Sequence, residues 1–263
     1  MGATKIVPDI TTDNVIEFSI IDGKLGKKEE VRYNKDGSID KRHSNKVAGV
    51  SSEVYGFTNE KEIEAMISVF DKYIEEAKSD SKKQIACRNK MMFLIGINIG
   101  LRASDLITLK WNFFLNDNKE FKDFYTLQPK KQKSAGKFVK LYFNKALKKA
   151  ITNYTDEYPI ENMDDYLFKS QKGNGHITEH SLGRIIKNTA EEIGIEKNIC
   201  SHSLRKTFGF WAWHNAEDKN KALVTLQAIF NHSTAYVTMK YIGLLYSEIE
   251  EMFNNIELGL DYL

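Results

Sequence analysis

Three short segments of the chain gather side chains able to work on an oxyanion. Gly100-Leu101-Arg102-Ala103-Ser104-Asp105-Leu106 carries an arginine and an acid. His202-Ser203-Leu204-Arg205 carries a histidine and a second arginine. Asn231-His232 is followed by Tyr241, nine positions on (241 − 232). A guanidinium grips an anion through a planar fork of N–H donors. An imidazole exchanges protons near neutral pH, and a phenol relieved of its proton is a nucleophile. Taken singly, each residue has a plainer reading. Arg102 after an apolar helix is a surface or salt-bridge arginine, and His202 helps to cap a helix. His232 is a hydrogen-bonded core histidine, and Tyr241 is one of twelve tyrosines, packing by its ring.

A fourth feature is compositional. No Asp or Glu falls between Phe124 and Thr155, a stretch holding Lys130, Lys131, Lys133, Lys137, Lys140, Lys145, Lys148 and Lys149. Two alternating apolar runs, KDFYTLQP and GKFVKLYF, flank KKQKSAG, the pattern of a β-hairpin with a basic loop. Such a hairpin presents positive charge to a polyanion, with nucleic acid the obvious kind. The plainer alternative is a solvated strand pair whose compensating acids lie elsewhere in the fold.

The rest of the chain must position these residues. At 263 residues, with 41% hydrophobic and 28% charged, it has the balance of a globular protein with a sizeable core. A net charge of +2 is weak guidance, because an acidic tail can offset a basic groove. Cys87 and Cys200 give no disulfide framework, the N-terminus lacks a signal-peptide profile, and no apolar run approaches the ~20 residues of a membrane span. These features predict a soluble cytoplasmic protein with no membrane association.

Residues 1–55 read as a short hairpin, NVIEFSII with EEVRYNKDGSI around GKLGKK and KDG turns, followed by a linker. Residues 56–263 read as one mainly α-helical domain carrying a small antiparallel β-sheet, an α+β arrangement. Asn59 with Glu62 resembles a capping box, ahead of an apolar stripe at Ile63, Met66, Ile67, Phe70 and Ile74. A core helix over 82–98 stops at Gly100, and ASDLITLKW starts another with Leu106 and Leu109 inward. Further helices fall on KALKKAITNY, TEHSLGRIIKNTAEEIG, SHSLRKTFGFWAWHN, NKALVTLQAIF and TAYVTMKYIG. The acidic tail YSEIEEMFNNIE puts Ile249, Met252, Phe253 and Ile256 on one helical face.

Together, and in this order, the three segments resemble the active-site signature of the tyrosine recombinase, or phage-type integrase, family. Arg102 matches the first arginine of a Gly-Leu-Arg-x-x-Glu/Asp-Leu box, with Asp105 at the acidic position. His202 and Arg205 match the His-x-Leu-Arg box. His232 matches the later histidine of a Leu-Gly-His-Ser box, which here reads Ile229-Phe230-Asn231-His232-Ser233, with Asn231 in place of glycine. Tyr241 stands at the family's spacing, and the resemblance spans residues 54–245. Lys133 fits the family's hairpin lysine, although Lys130, Lys131 and Lys137 are close in register.

The resemblance implies cleavage and rejoining of double-stranded DNA through a 3′-phosphotyrosyl intermediate, in integration or excision of a mobile element. Arg102 and Arg205 would hold the non-bridging oxygens. His202 would take the phenolic proton of Tyr241, His232 would orient a phosphoryl oxygen, and Lys133 would protonate the leaving 5′-oxygen. Lys130, Lys131, Lys137 and Lys140 would contact DNA. The covalent link conserves the bond's free energy, so no metal or other cofactor is implied. The resemblance implies a homotetramer on DNA and a monomer or weak oligomer when free, with the C-terminal helix docking in cis or on a neighbour.

Members of the family place a helical core-binding domain before the catalytic one, whereas residues 1–55 show no such unit. Three rival readings follow from the same residues. One is a DNA-binding regulator that no longer cuts, and another is a type IB topoisomerase-like relaxing enzyme. The third is a metal hydrolase using His176, His180, His202, His214 and His232, in which His176 and His180 fall one helical turn apart. HITEH lacks the Glu placement of a zinc protease motif, and the combined boxes favour the recombinase.

Overall fold

The computed structural model describes residues 5–8, 15–21, 24–27, 53–128, 138–171, 173–244 and 253–256. The chain divides into two compact units, Met1–Glu53 and Val54–Leu263. In the first, strands β1 (Lys5–Pro8), β2 (Val15–Ile21) and β3 (Lys24–Lys27) pair antiparallel in that order. The sequence led us to expect only a two-strand hairpin, with GKLGKK as its turn. That segment is instead strand β3, because Ile21 pairs with Lys24 and leaves Asp22-Gly23, a strong two-residue hairpin signal, between the strands. EEVRYNKDGSI and the linker to residue 52 lie outside the described residues.

The second unit is built on α2 (Asp80–Ile99). Met91, Met92, Phe93, Ile95 and Ile99 of this helix are buried, so it is apolar on most sides of its second half. The amphipathic helix α1 (Glu60–Glu75) packs on it through Met66 and Phe70. Asn59 caps α1 by accepting from the Lys61 N–H at 3.0 Å. Glu62, expected to complete a capping box, instead pairs with Lys197 at 3.1 Å. Helix α2 ends at Gly100, in the left-handed region with φ +67, where a Cβ would lie 2.3 Å from the Phe208 ring. Only glycine suits both conditions.

Beyond Gly100 we expected one helix through Leu109. The structure has two single turns instead, α3 (Ala103–Leu106) and α4 (Trp111–Phe114). The chain between them is drawn off to pair with 165–167: Leu167 N–H donates to Leu109 O at 2.9 Å and Trp111 N–H to Asp165 O at 3.2 Å. Leu106 and Leu109 are both buried, as expected.

Strands β4 (Phe124–Leu127) and β5 (Val139–Tyr142) pair antiparallel, Phe124 opposite Tyr142. Alternation turns Tyr125, Leu127, Val139 and Leu141 to the core. Phe124, Thr126, Lys140 and Tyr142 face outward and are exposed. The hairpin tip, 129–137, lies outside the described residues, and with it Lys130, Lys131, Lys133 and Lys137.

Helices α5 (Lys145–Glu157), α6 (Glu179–Glu192), α7 (Ser201–His214), α8 (Lys219–Phe230) and α9 (Ala235–Ile242) complete the unit. Helix α7 lies against α2 and is tied to the entering chain. Thr207 Oγ1 accepts from Phe57 N–H at 2.8 Å, and Trp211 Nε1 donates to Phe57 O at 2.9 Å. A smaller apolar cluster, Leu223, Leu226, Phe230, Ile242 and Leu244, holds α8 and α9 beside α7.

Among the described residues no helix is long and apolar enough to cross a membrane. The helical spacing of His176 and His180 does not survive in the structure. His176 sits in a bridge with Lys169 before α6 begins at Glu179. Of the C-terminal tail only 253–256 are described, with Phe253 and Ile256 exposed.

Candidate active site

Helix α7 begins after Cys200, whose N–H donates to Ser203 Oγ at 3.0 Å. Its first turn carries His202, which is exposed, and Arg205 three residues on, which is buried. Spacing of three puts both on one face of the helix. Helix α7 closes on α2 so tightly that a Cβ at Gly96 would lie 2.6 Å from Leu204. The turn at Gly100 then reverses the chain and delivers Arg102 beside Arg205.

The two guanidiniums meet at one atom. Arg102 Nη2 and Arg205 Nη2 each donate to the carbonyl oxygen of Phe230 at 3.3 Å. Arg205 Nη1 also donates to the Gly100 carbonyl. The Phe230 ring lies under the Arg205 guanidinium, 4.3 Å from centroid to carbon, a cation–π contact.

Phe230 is the last residue of α8, and Asn231 after it is left-handed at φ 53, ψ 48. Glycine is the usual occupant of such a position, and asparagine is the side chain that tolerates it best. The replacement of glycine by Asn231 therefore preserves the turn. His232 N–H donates to Gln227 O at 3.0 Å, and the chain enters α9 one turn later.

Helix α9 returns Tyr241 to His232. Their ring centroids are 5.1 Å apart at 69°, and Tyr241 lies 5.4 Å from Phe230. The imidazole Nδ1 is 3.1 Å from Thr238 Oγ1. Lys206 Nζ lies 5.4 Å from the Tyr241 ring centroid.

Charge and burial act against one another here. Burial pushes the Arg205 guanidinium down to about 10, with Tyr241 and Asp105 opposing the fall and Arg102 adding to it; it remains a cation at neutral pH. Burial pushes the Tyr241 phenol up, while Arg205 and Arg102 pull it down, Arg205 also through a hydrogen bond. His232 is held below its usual range by burial and by the same two arginines, so it is neutral near pH 7. The site is thus a fixed positive centre with a neutral imidazole and a protonated phenol at its edge.

Of the residues singled out from sequence, Arg102, Arg205, His232 and Tyr241 come together. His202 is exposed on the first turn of α7, and Lys140 lies on the outer face of β5, its Nζ 3.6 Å from the Phe124 centroid. Sequence reasoning missed the Phe230 carbonyl, Thr238, Lys206 and Cys200. A backbone acceptor leaves no trace in residue type. Thr238 alone left a signal, being a polar residue three before Tyr241 and so on the same helical face; the structure buries it fully. A cavity of about 530 Å³ elsewhere in the unit, lined by Arg88, Trp111 and Tyr154, includes none of these residues.

The second unit gathers two arginines, a histidine and a tyrosine, side chains able to bind an anion and to attack it. The family model described as the phage integrase family matches residues 57–248. The chain belongs to the phage integrase family, in agreement with the resemblance of its three boxes.

The chain is 35% identical over 157 residues to the probable integrase/recombinase YoeC of Bacillus subtilis (strain 168), covering 60% of this chain and 78% of that one. It is 27% identical over 184 residues to the tyrosine recombinase XerD of Oceanobacillus iheyensis, covering 68% of this chain and 57% of that one. It therefore spans little more than half the length of the XerD relative. Among solved structures, the XerA recombinase superposes with a TM-score of 0.54 at 21% identity, covering 78% of this chain and 64% of that one. XerH site-specific recombinase, bound to palindromic difH substrate in a post-cleavage complex, gives 0.53 at 22%, covering 81% and 56%. These likenesses establish the fold.

Proposed function

We propose that the chain is a site-specific DNA recombinase that breaks and rejoins strands through Tyr241, in integration or excision of a mobile element. The observation that carries this reading is the convergence of Arg102 and Arg205 on one acceptor, the Phe230 carbonyl, beside the His232–Tyr241 pair. A phosphodiester oxygen is a stronger acceptor than a carbonyl and takes up the N–H groups that the two forks still have to offer.

The roles are those that the family resemblance implies. Arg102 and Arg205 hold the non-bridging oxygens and stabilise the charge that builds on them in transit. Tyr241 Oη attacks phosphorus, the P–O5′ bond breaks, and a 3′-phosphotyrosyl link forms. His202 accepts the phenolic proton, and Lys133 gives a proton to the departing 5′-oxygen. His232 donates to a phosphoryl oxygen. Attack by a 5′-hydroxyl reverses the sequence and restores the tyrosine, so the bond energy is kept within the link and no cofactor enters.

Lys140 with Lys130, Lys131 and Lys137 lines the duplex backbone; for Lys140 the outward face of β5 supports this. The assembly on DNA is a homotetramer, and the catalytic unit is 56–263 with 1–55 as an appendage.

The test is a nicked suicide duplex carrying the element's own junction, with the protein–DNA adduct resolved on a denaturing gel. Wild type accumulates the adduct and Tyr241→Phe accumulates none; an adduct with the Phe variant would remove Tyr241 from the role of nucleophile.

A further inference from the structure

The fully buried Thr238, its hydroxyl 3.1 Å from His232 Nδ1, is the feature the proposed chemistry leaves unused. We infer that Thr238 is a positioning residue that sets the tautomer of His232, donating its hydroxyl proton to Nδ1 so that Nε2 carries the hydrogen. The inference rests on the reading of His232 as a donor to a phosphoryl oxygen, and it extends that reading to the residue that makes donation possible.

A neutral imidazole has one N–H and one bare nitrogen, and which is which depends on the partner of the other. Bare at Nε2, it would turn a lone pair toward a phosphoryl oxygen and repel it. With hydrogen there, it donates. The choice is a real one only for a neutral ring, and the burial and flanking arginines that hold His232 below its usual range keep it neutral.

Thr238 has a single proton and two acceptors within reach, His232 Nδ1 at 3.1 Å and the Thr234 carbonyl at 3.4 Å. The carbonyl distance lies well beyond the ~2.7–2.8 Å of a good O–H···O bond. The imidazole nitrogen is the nearer acceptor, which favours donation to Nδ1; donation to Thr234 O would instead have Thr238 Oγ1 accept from an Nδ1–H. The hydroxyl oxygen then has no proton left for Thr234 O, which is already an acceptor for the Thr238 N–H within the helix cap at 3.3 Å.

Geometry holds the threonine to this task. Thr238 lies in the second turn of α9, three residues before Tyr241, and as a β-branched residue it has few helical rotamers. The side chain that fixes the imidazole therefore rides on the helix that presents the nucleophile. His232 is anchored from the other direction by its N–H to Gln227 O. Donor and nucleophile are set by one short helix.

Two variants of the full chain test this, Thr238→Val, which keeps the shape and removes the hydroxyl, and Thr238→Ser, which keeps the hydroxyl. Long-range ¹H–¹⁵N spectra of the imidazole read the tautomer without DNA. Wild type and Ser are expected to show Nε2 protonated and Nδ1 as acceptor, and Val a mixture of the two. The rate of adduct formation at saturating protein is expected to fall about 2- to 12-fold in Val, the ratio that loss of one neutral hydrogen bond represents. It is expected to be restored in Ser, with duplex affinity unchanged in both.

A wild-type spectrum with the proton on Nδ1, or a Val spectrum identical to wild type, overturns the assignment. So does a Ser variant that behaves like Val in both measurements, which would mark the methyl group and packing as what matters. Absence of any adduct with wild type would instead sink the proposed function, while the spectra still decide the tautomer.

Discussion

Asn231 offers the sharpest test of how this site is held. It is left-handed at φ 53, ψ 48, and its turn is what ends α8 and leaves the Phe230 carbonyl facing both arginines. In Asn231→Val a β-branched side chain must occupy that conformation, at a cost of about 1–2 kcal/mol. For a unit of this size that lowers Tm by about 2–8 °C. Asn231→Gly relieves the steric cost and adds flexibility to the unfolded chain, so its stability stays within about 1 kcal/mol of wild type. All three tryptophans, Trp111, Trp211 and Trp213, belong to the second unit, so tryptophan fluorescence during thermal unfolding reports that unit alone. Adduct formation should follow the same order, because a turn that relaxes elsewhere withdraws the carbonyl shared by the two guanidiniums. Val as stable and as active as Gly would refute the reasoning, since the turn would then not depend on the residue that makes it.

Two further outcomes follow from the electrostatics. Arg205→Lys replaces a fork that reaches both Gly100 O and Phe230 O by a point charge, and should slow adduct formation by about 10²–10³ with little change in duplex affinity; a quench experiment that finds less than tenfold would count against it. His232 is a base whose folded pKa lies below the ordinary 6.5, so the unfolded chain binds its proton first as pH falls. Its effect is absent above about pH 6.5 and destabilises progressively from there down to the folded value. Thermal melts at about pH 7.5 and 5.5 should therefore shift the Tm difference in favour of His232→Gln at the lower pH, and a constant difference would contradict the depressed pKa.

Local signals made most of this fold legible. The apolar run before Gly100 identified the core helix because MMFLIGI leaves no polar face, and the alternation around the basic loop identified the hairpin. The signals failed where a distant segment competed for the backbone. Nothing near Leu109 announces that its carbonyl belongs to Leu167 N–H rather than to a helical turn. Glu62 likewise sits at the right spacing for a capping box, yet Lys197, 135 residues away, takes its carboxylate. At the site, side-chain identity and order singled out four residues that do meet. The atom that gathers two of them is a backbone oxygen, which no residue type can advertise.

That oxygen also explains how the arginines can be fixed before any substrate arrives. A carboxylate holding both guanidiniums would orient them but cancel much of the charge that a phosphodiester must feel. The Phe230 and Gly100 carbonyls supply direction without adding a negative charge to that of the buried Asp105, which also acts on Arg205. Two guanidiniums drawn to one point repel each other, and this adds to the burial that is the main cause of the lowered pKa of Arg205 and of the neighbouring His232. Helices α2, α7, α8 and α9 sustain that repulsion through the core they bury, with Phe230 completely buried between α7 and α9. Stability and reactivity are therefore tied to the same residues. A substitution that loosens the α8–α9 corner should depress both at once, whereas one on the outer face of β4–β5 should spare both and act through DNA affinity alone.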